Sequence, residues 1–246
     1  MGKRYGIIAD LHSNIEGLRS ALAEIGKEGV DEILCLGDVV GYNADPCECV
    51  DVTFESCSHV IRGNHERYIL GEMPEDLKAS VVRWTEWGLE NMPEKQIGML
   101  RKCQDTEVVD DLLLIVHGSP SDRDEYLLGQ EAVRGSLKTM RGKYLGLDVC
   151  FFGHTHLPLL VGGGAIRSDF TERTTVQLER LKTYLINPGS CGQPRDGCPK
   201  ASCGIFDSNE WSMTYLRTEY DVKSAQEKVV AAGLDSSFAH RLEIGR

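Results

Sequence analysis

Residues 5–12 read Tyr5-Gly6-Ile7-Ile8-Ala9-Asp10-Leu11-His12. A short apolar run without alternation is the pattern of a strand buried on both faces. This one stops at a carboxylate and an imidazole, two side chains that bind cations. The same arrangement recurs along the chain. Gly37-Asp38 follows the apolar run 33–36, and Gly63-Asn64-His65-Glu66 follows 58–62. His117-Gly118 follows 112–116, and Gly153-His154-Thr155-His156 follows 149–152. Loops at the carboxyl ends of strands form the usual crevice of an α/β sheet, so ligands are expected there.

Taken singly, these pieces carry little information. A D-x-H is common, a G-D after a strand is explained by a turn carboxylate, and an H-x-H can be two histidines on one strand face. Their joint occurrence at strand ends indicates a metal site. Of the seven histidines, only His59 and His240 lie outside these segments. Glycine precedes Asp38, Asn64 and His154 and follows His117, which lets the backbone turn sharply beside a ligand. Asp, Asn and His without Cys suit hard or borderline divalent ions such as Mn²⁺, Zn²⁺ or Fe. The donors are too many for one tetrahedral ion. They suit two ions ~3.5–4 Å apart that share a carboxylate.

Further out, Asn14 is placed to cap a helix whose apolar positions Ile15, Leu18, Leu22 and Ile25 recur at spacings of three and four. Residues 46–57 read as a helix and 73–104 as one or two. Asp110-Asp111 reads as a hairpin turn between 108–109 and 112–116. Residues 157–161, 183–186, 202–206 and 213–216 read as strands, and 222–232 as a helix. With no repeat or linker, the expectation is a single α/β domain over 1–246, with sheets at the centre and helices outside. Residues 73–135 would form the walls of a substrate pocket, and 221–246 a helical extension at the C-terminus. The charged stretch 119–135 is expected to be a loop, solvated rather than nucleotide-binding.

The 246 residues carry 27 Lys and Arg against 38 Asp and Glu, a net charge of −11. That balance argues against stable binding to nucleic acid through a basic surface. Anionic substrates stay admissible where bound cations supply positive charge. No run approaches the ~20 apolar residues of a spanning helix, so no membrane association is expected. The opening residues lack a secretory signal, which points to the cytoplasm. The nine cysteines then read as reduced thiols. Neither Cys47/Cys49 nor Cys191/Cys198/Cys203 has zinc-knuckle spacing.

The five blocks D-x-H, G-D, G-N-H-E, H and G-H-x-H resemble those of the calcineurin-like metallophosphoesterase superfamily. The segment Asn187-Pro188-Gly189-Ser190 with Gly192-Gln193-Pro194-Arg195 is similar to the last block of its small single-domain bacterial and archaeal phosphodiesterase branch. The resemblance spans about 3–217. It implies a central β-sandwich flanked by helices and a dinuclear metal centre, with Mn the first choice and Zn, Fe or Ni alternatives. It implies that Asp10, His12 and His156 hold one ion, that Asn64, His117 and His154 hold the other, and that Asp38 bridges them. It makes His65 the catalytic residue that contacts phosphate and protonates the leaving oxygen, and titration near neutrality would suit that role.

The implied activity is hydrolysis of a P–O bond by a metal-activated hydroxide, first as a phosphodiesterase. The alternatives are a dinucleoside tetraphosphate hydrolase, a phosphoprotein phosphatase, or a non-catalytic protein-binding scaffold on the same fold. The substrate would be a small phosphate ester or a nucleotide. Asn14 and Glu66 are candidates to orient ligands. Arg62 and Arg195 are candidates for phosphate contacts, against the plainer reading of solvated surface charges. Tyr42 lies where it would either stack on a base or pack against the 46–57 helix.

Overall fold

A computed structural model describes residues 2–246. Two six-stranded sheets pack face to face, and helices cover both outer faces. The first sheet holds β1 (Arg4–Ile8), β2 (Glu32–Cys35), β3 (His59–Val60), β9 (Thr174–Gln177), β11 (Ala201–Asp207) and β12 (Ser212–Thr218), in the order β3-β2-β1-β11-β12-β9. The second holds β4 (Thr106–Val109), β5 (Leu113–Val116), β6 (Val149–Phe151), β7 (Leu159–Gly162), β8 (Ala165–Arg167) and β10 (Tyr184–Asn187), in the order β4-β5-β6-β10-β7-β8. This is the expected sandwich.

The alternation of side chains along each strand sorts the core into three layers. Tyr5, Ile7, Leu34 and Leu36 from the first sheet meet Leu113, Ile115, Phe151 and Ile186 from the second. The neighbours Ile8 and Cys35 point the other way and bury the apolar stripe of α1 (Ile15–Gly26), through Leu18, Ala21 and Ile25. Leu114, Cys150 and Leu185 face outward from the second sheet onto Val133 and Met140 of α6 (Gln130–Lys143). Removing a side chain such as Phe151, fully buried in the middle layer, would cost about 3–5 kcal/mol.

The strands that carry the site run parallel. β1 pairs with β2 with Ile8 opposite Cys35, and β5 pairs with β6 with Ile115 opposite Phe151. Their carboxyl ends therefore emerge together at one edge of the sandwich. Asn14 caps α1 as expected, its Oδ1 accepting from Gly17 N at 3.0 Å. At the hairpin, Asp110 and Asp111 both take positive φ, 53° and 51°, the conformation of a tight hairpin turn.

Several elements differ from the sequence reading. The third strand is only two residues long; beyond it Ile61 N still donates to Cys35 O of β2 at 3.1 Å, and Ile61 also bridges Gln104. The 73–104 stretch forms two helices, α4 (Ala79–Asn91) and α5 (Glu94–Lys102). The expected loop 119–135 ends early. From Gln130 it becomes α6, whose apolar side covers the second sheet. α3 (Asn64–Ile69) grows directly out of the G-N-H-E block. At the C-terminus α7 (Val222–Ala231) is followed by a second helix, α8 (Ser236–Ile244), which periodicity alone did not reveal. α2 (Pro46–Ser56) completes the set.

Candidate metal centre

The five strand-end blocks converge on one buried cluster. Asp10 and His12 follow β1, Asp38 follows β2, Asn64 opens α3, His117 follows β5, and His154 and His156 follow β6. Backbone bonds knit the loops together: His12 N donates to Asp38 O at 2.8 Å, and Asp10 N to Gly37 O at 3.1 Å. The chain must curl sharply to aim neighbouring side chains at one point. Asp10, His12, Asp38, His154 and His156 all take φ between 47° and 65°, a region that non-glycine residues rarely adopt. At Gly63, a Cβ would lie 2.1 Å from Asp38 Oδ1, so only glycine lets α3 approach the Asp38 loop.

Donor atoms fall into two groups, each closing within 4.8 Å. One is Asp10, His12, Asp38 and His156; the other is Asp38, His117 and His154. Asp38 belongs to both, and Asn64 Oδ1 joins the second at 3.1 Å from His117 Nε2. Four imidazoles are oriented by backbone carbonyls. His12 Nδ1 faces Val40 O at 3.1 Å, His117 Nδ1 faces Leu36 O at 2.8 Å, and His156 Nδ1 faces Gln193 O at 2.5 Å. His154 Nε2 faces Asp124 O at 3.2 Å. A carbonyl only accepts, so each of these nitrogens donates its N–H, and in a neutral ring the opposite nitrogen presents a lone pair inward.

Those lone pairs meet in twos. His12 Nε2 and His156 Nε2 are 3.0 Å apart, and His117 Nε2 and His154 Nδ1 are 3.1 Å apart. Asp10 Oδ2 is buried without a partner. Facing acceptors repel unless positive charge lies between them. The donor set therefore fits divalent cations, and its N/O chemistry suits ions of the hard to borderline class. The titration behaviour of the cluster agrees for three of the four imidazoles. Burial holds His12 and His156 well below the ordinary imidazole value and lowers His154 to about 3. Burial also lowers His117, but Asp38 and Asp10 more than offset it and raise that imidazole to about 9. Burial raises Asp10 to about 7 against the pull of His117. Asp38 is held well below the usual carboxylate range by His117, His65 and His12 in spite of its burial.

A model of the calcineurin-like phosphoesterase superfamily domain matches residues 4–210. The chain belongs to that superfamily. It is 34% identical over 247 residues to an uncharacterised protein of Methanocaldococcus jannaschii, which covers 98% of this chain and 97% of that one. The crystal structure of a metallophosphoesterase from Sphaerobacter thermophilus superposes with a TM-score of 0.88 at 30% identity, over 100% of both chains. A hypothetical protein of Pyrococcus horikoshii gives 0.80 at 18% identity, over 99% of this chain and 98% of that one, a likeness of fold. The protein is thus a metallophosphoesterase, a hydrolase of ester bonds. These relatives align over nearly all of its length, including the residues beyond the matched domain. Among the described residues no helix is long and apolar enough to cross a membrane.

His65 sits beside the phosphoesterase cluster. Its N–H donates to Asp38 Oδ1 at 2.9 Å, and its ring packs edge-on to His12 and Tyr42 at 4.8 and 4.6 Å. Titration near neutrality is not what the structure shows. Burial lowers this imidazole to about 4, and Arg195 and His117 push the same way against Asp38. Glu66 is the clearest positioning residue. Its carboxylate accepts from the N–H groups of Asp38 (2.8 Å), Val40 (3.0 Å) and Gly63 (2.6 Å), tying the β2 and β3 loops together. Burial and Asp38 raise it to about 7 while those donors pull it down.

The remaining candidates divide. Asn14 touches no ligand; its Nδ2 donates to Gly192 O at 2.8 Å, and Gly192 N donates to Asp10 O at 3.0 Å. Arg62 is not brought to the cleft. It is paired with Asp105, its Nε 3.3 Å from Oδ1. Arg195 is brought there: its guanidinium lies beside the Tyr42 hydroxyl at 3.4 Å, in a cleft of ≈ 370 Å³ that also reaches Asn64 and His65. Tyr42 packs in the site, its ring 4.4 Å from that of His12.

Sequence reasoning missed three contributors. Tyr126 lies over His154 at 3.8 Å, which brings the 119–129 loop against the cluster. Arg67, 2% exposed, anchors that loop through Asp105 and Asp124. Phe238 of α8 packs on Tyr42 at 5.0 Å.

Proposed function

We propose that this protein is a phosphodiesterase that binds two divalent cations, Mn²⁺ first among them, and hydrolyses a P–O bond of a small phosphate ester or nucleotide. The observation that carries the proposal is the Asp38 carboxylate, common to both donor groups. Asp10, His12 and His156 would hold one ion with it, and Asn64, His117 and His154 the other. When bound, the cations would activate water at neutral pH and offset the charge of the phosphate. The protein's own residues do the rest. Glu66 and Gly63 fix Asp38, and backbone carbonyls fix four imidazoles.

His65 would contact the phosphate and the leaving oxygen. Its Nδ1 is buried and unpartnered, so the ring has capacity to spare for a ligand. A cleft of ≈ 370 Å³ beside the cluster gives the esterified group a place. The C-terminal helix lines that cleft, which supports reading 1–246 as one functional unit. All nine cysteines are unpaired thiols, which supports a cytoplasmic setting.

The test is a substrate screen after chelation. Phosphomonoesters, phosphodiesters and dinucleoside polyphosphates are each offered with and without added Mn²⁺. Metal-dependent turnover with diesters fastest is the expected result. Turnover that survives verified metal removal overturns the metal centre, and turnover of monoesters alone overturns the diesterase reading.

A further inference from the structure

The cleft carries more positive charge than its place beside the cluster explains. Lys78, Arg195, Arg241 and Arg246 line it, with Asp76 the carboxylate among the lining residues. Among the described residues, none of the four is ion-paired with a carboxylate, whereas nearby Arg62, Arg67 and Arg123 all are. The chain carries a net charge of −11, so acidic partners are in surplus. Four unpaired cations at one mouth are a concentration of charge that favours anions.

α8 is built to hold Arg241 there, with Arg246 just beyond its end. Phe238 seats the helix on Tyr42, and Arg241, three residues on, shares that side of the helix. Gly245 ends the helix at φ 63°, its carbonyl accepting from Gly197 N at 2.8 Å. A Cβ on Gly245 would lie 2.7 Å from the Cys198 backbone, so the close approach needs glycine. The helix end is thereby fixed against the loop that carries Arg195.

A phosphate under attack would sit against the cluster and be neutralised there. The mouth cations need another anion. We propose that Lys78, Arg195, Arg241 and Arg246 form a second anion subsite, and that the substrate is a phosphate ester carrying a separate second phosphate group elsewhere on the molecule, as in a nucleoside 3′,5′-bisphosphate ester. The proposal rests on the phosphoesterase reading of the cluster. Guanidinium groups match phosphate oxygens in geometry as well as charge, and the rings of Tyr42, Tyr68 and Tyr126 offer faces for a nucleobase.

The test uses two esters that differ only in the second phosphate: the p-nitrophenyl ester of thymidine 5′-phosphate, with and without a 3′-phosphate. Released nitrophenol is followed with the Mn²⁺-loaded protein. The doubly phosphorylated ester should show a kcat/KM higher by about tenfold or more, expressed in KM. In Arg241→Gln that preference should fall toward one, and Arg241→Lys should restore part of it. Equal kcat/KM for the two esters, or a preference unchanged in both Arg241→Gln and Lys78→Gln, overturns the subsite. If neither ester is turned over, the reading of the cluster fails instead. Calorimetric titration of the metal-free protein with pyrophosphate then decides the subsite alone: weaker binding by Arg241→Gln supports it, and equal binding or none overturns it.

Discussion

Replacing Asp38 with asparagine tests the bridge and the chemistry built on it. The substitution is nearly isosteric. An asparagine Oδ1 still accepts from His65 N–H, as Asp38 does at 2.9 Å, so the loop geometry has reason to persist. What disappears is one negative charge placed 3.2 Å from His117 Nε2 and 3.5 Å from His12 Nε2, between the two donor groups. At an effective dielectric of roughly 20, unit charges about 4 Å apart interact by about 4 kcal/mol, and a divalent ion by about twice that. Released cations regain hydration and the amide oxygen remains a donor, so only a fraction of that ceiling is lost. A penalty of about 3 kcal/mol corresponds to roughly 10²-fold in metal affinity or in turnover at fixed metal. Metal content after dialysis and kcat at graded Mn²⁺ are the measurements, with circular dichroism to verify folding. Asn64→Ala, which removes a donor from one group only, should cost less. A scaffold that merely binds other proteins has no reason to be sensitive at either position. A folded Asp38→Asn that retains two ions and near-normal turnover would refute both the shared carboxylate and the two-ion reading.

His65→Ala should keep the bound metal and lose about 10²–10⁴-fold in kcat, with a smaller loss for esters of nitrophenol, whose leaving group needs no proton; metal analysis showing a missing ion would make His65 a ligand. Chelation should lower the melting temperature, because an ion that binds only the folded state stabilises it by mass action, and an unchanged transition in verified apo-protein would speak against the site. Glu28 is held below its ordinary value by Arg173, whose Nη1 lies 2.6 Å from Oε1. A carboxylate depressed in the folded state stabilises above its unfolded value and loses that contribution as pH falls, so urea titrations between about pH 6 and 3 should show Glu28→Gln with a shallower acid limb. The difference should stay below about 1 kcal/mol for so exposed a pair, and identical acid limbs would disprove the contribution.

The site was legible in the sequence because its information is local. Each ligand block is two to four residues long and follows its own apolar strand, so Asp10, Asp38, His117 and His154 could be placed at strand ends before any strand was paired. Parallel pairing of β1 with β2 and β5 with β6 then delivers them to one edge. The second circle of residues was less legible because tertiary contacts choose it. Arg62 and Arg67 are both arginines near the G-N-H-E block, yet Asp105 takes the first away from the cleft, and burial makes the second an anchor for the 119–129 loop. The contact between Tyr42 and Phe238 joins segments nearly 200 residues apart, and no periodicity signals such a pairing. The i, i+3 spacing of Phe238 and Arg241 was the one available hint that α8 has an apolar and a cationic edge on the same side.

Charge connects these layers. The cluster is a set of donor atoms: four imidazoles held by backbone carbonyls, and two carboxylates between them. Burial keeps three of the ligand imidazoles and His65 neutral, while Asp38 and Asp10 favour the charged form of His117 alone. Arg195, Arg241 and Arg246 cannot substitute for metal ions, since their guanidinium groups carry no water to activate. They can retain an anion at the mouth, and they can distinguish a substrate with one phosphate from a substrate with two. The division follows from burial. Inside the sandwich edge, where a bare charge is costly, the chain supplies neutral donors that need a metal. At the mouth, where solvent reaches Lys78, Arg241 and Arg246, it supplies permanent cations. Reaction and selection are thereby assigned to different residues, the first to five short motifs that a sequence displays openly, the second to a C-terminal helix that acquires its meaning only when Phe238 meets Tyr42.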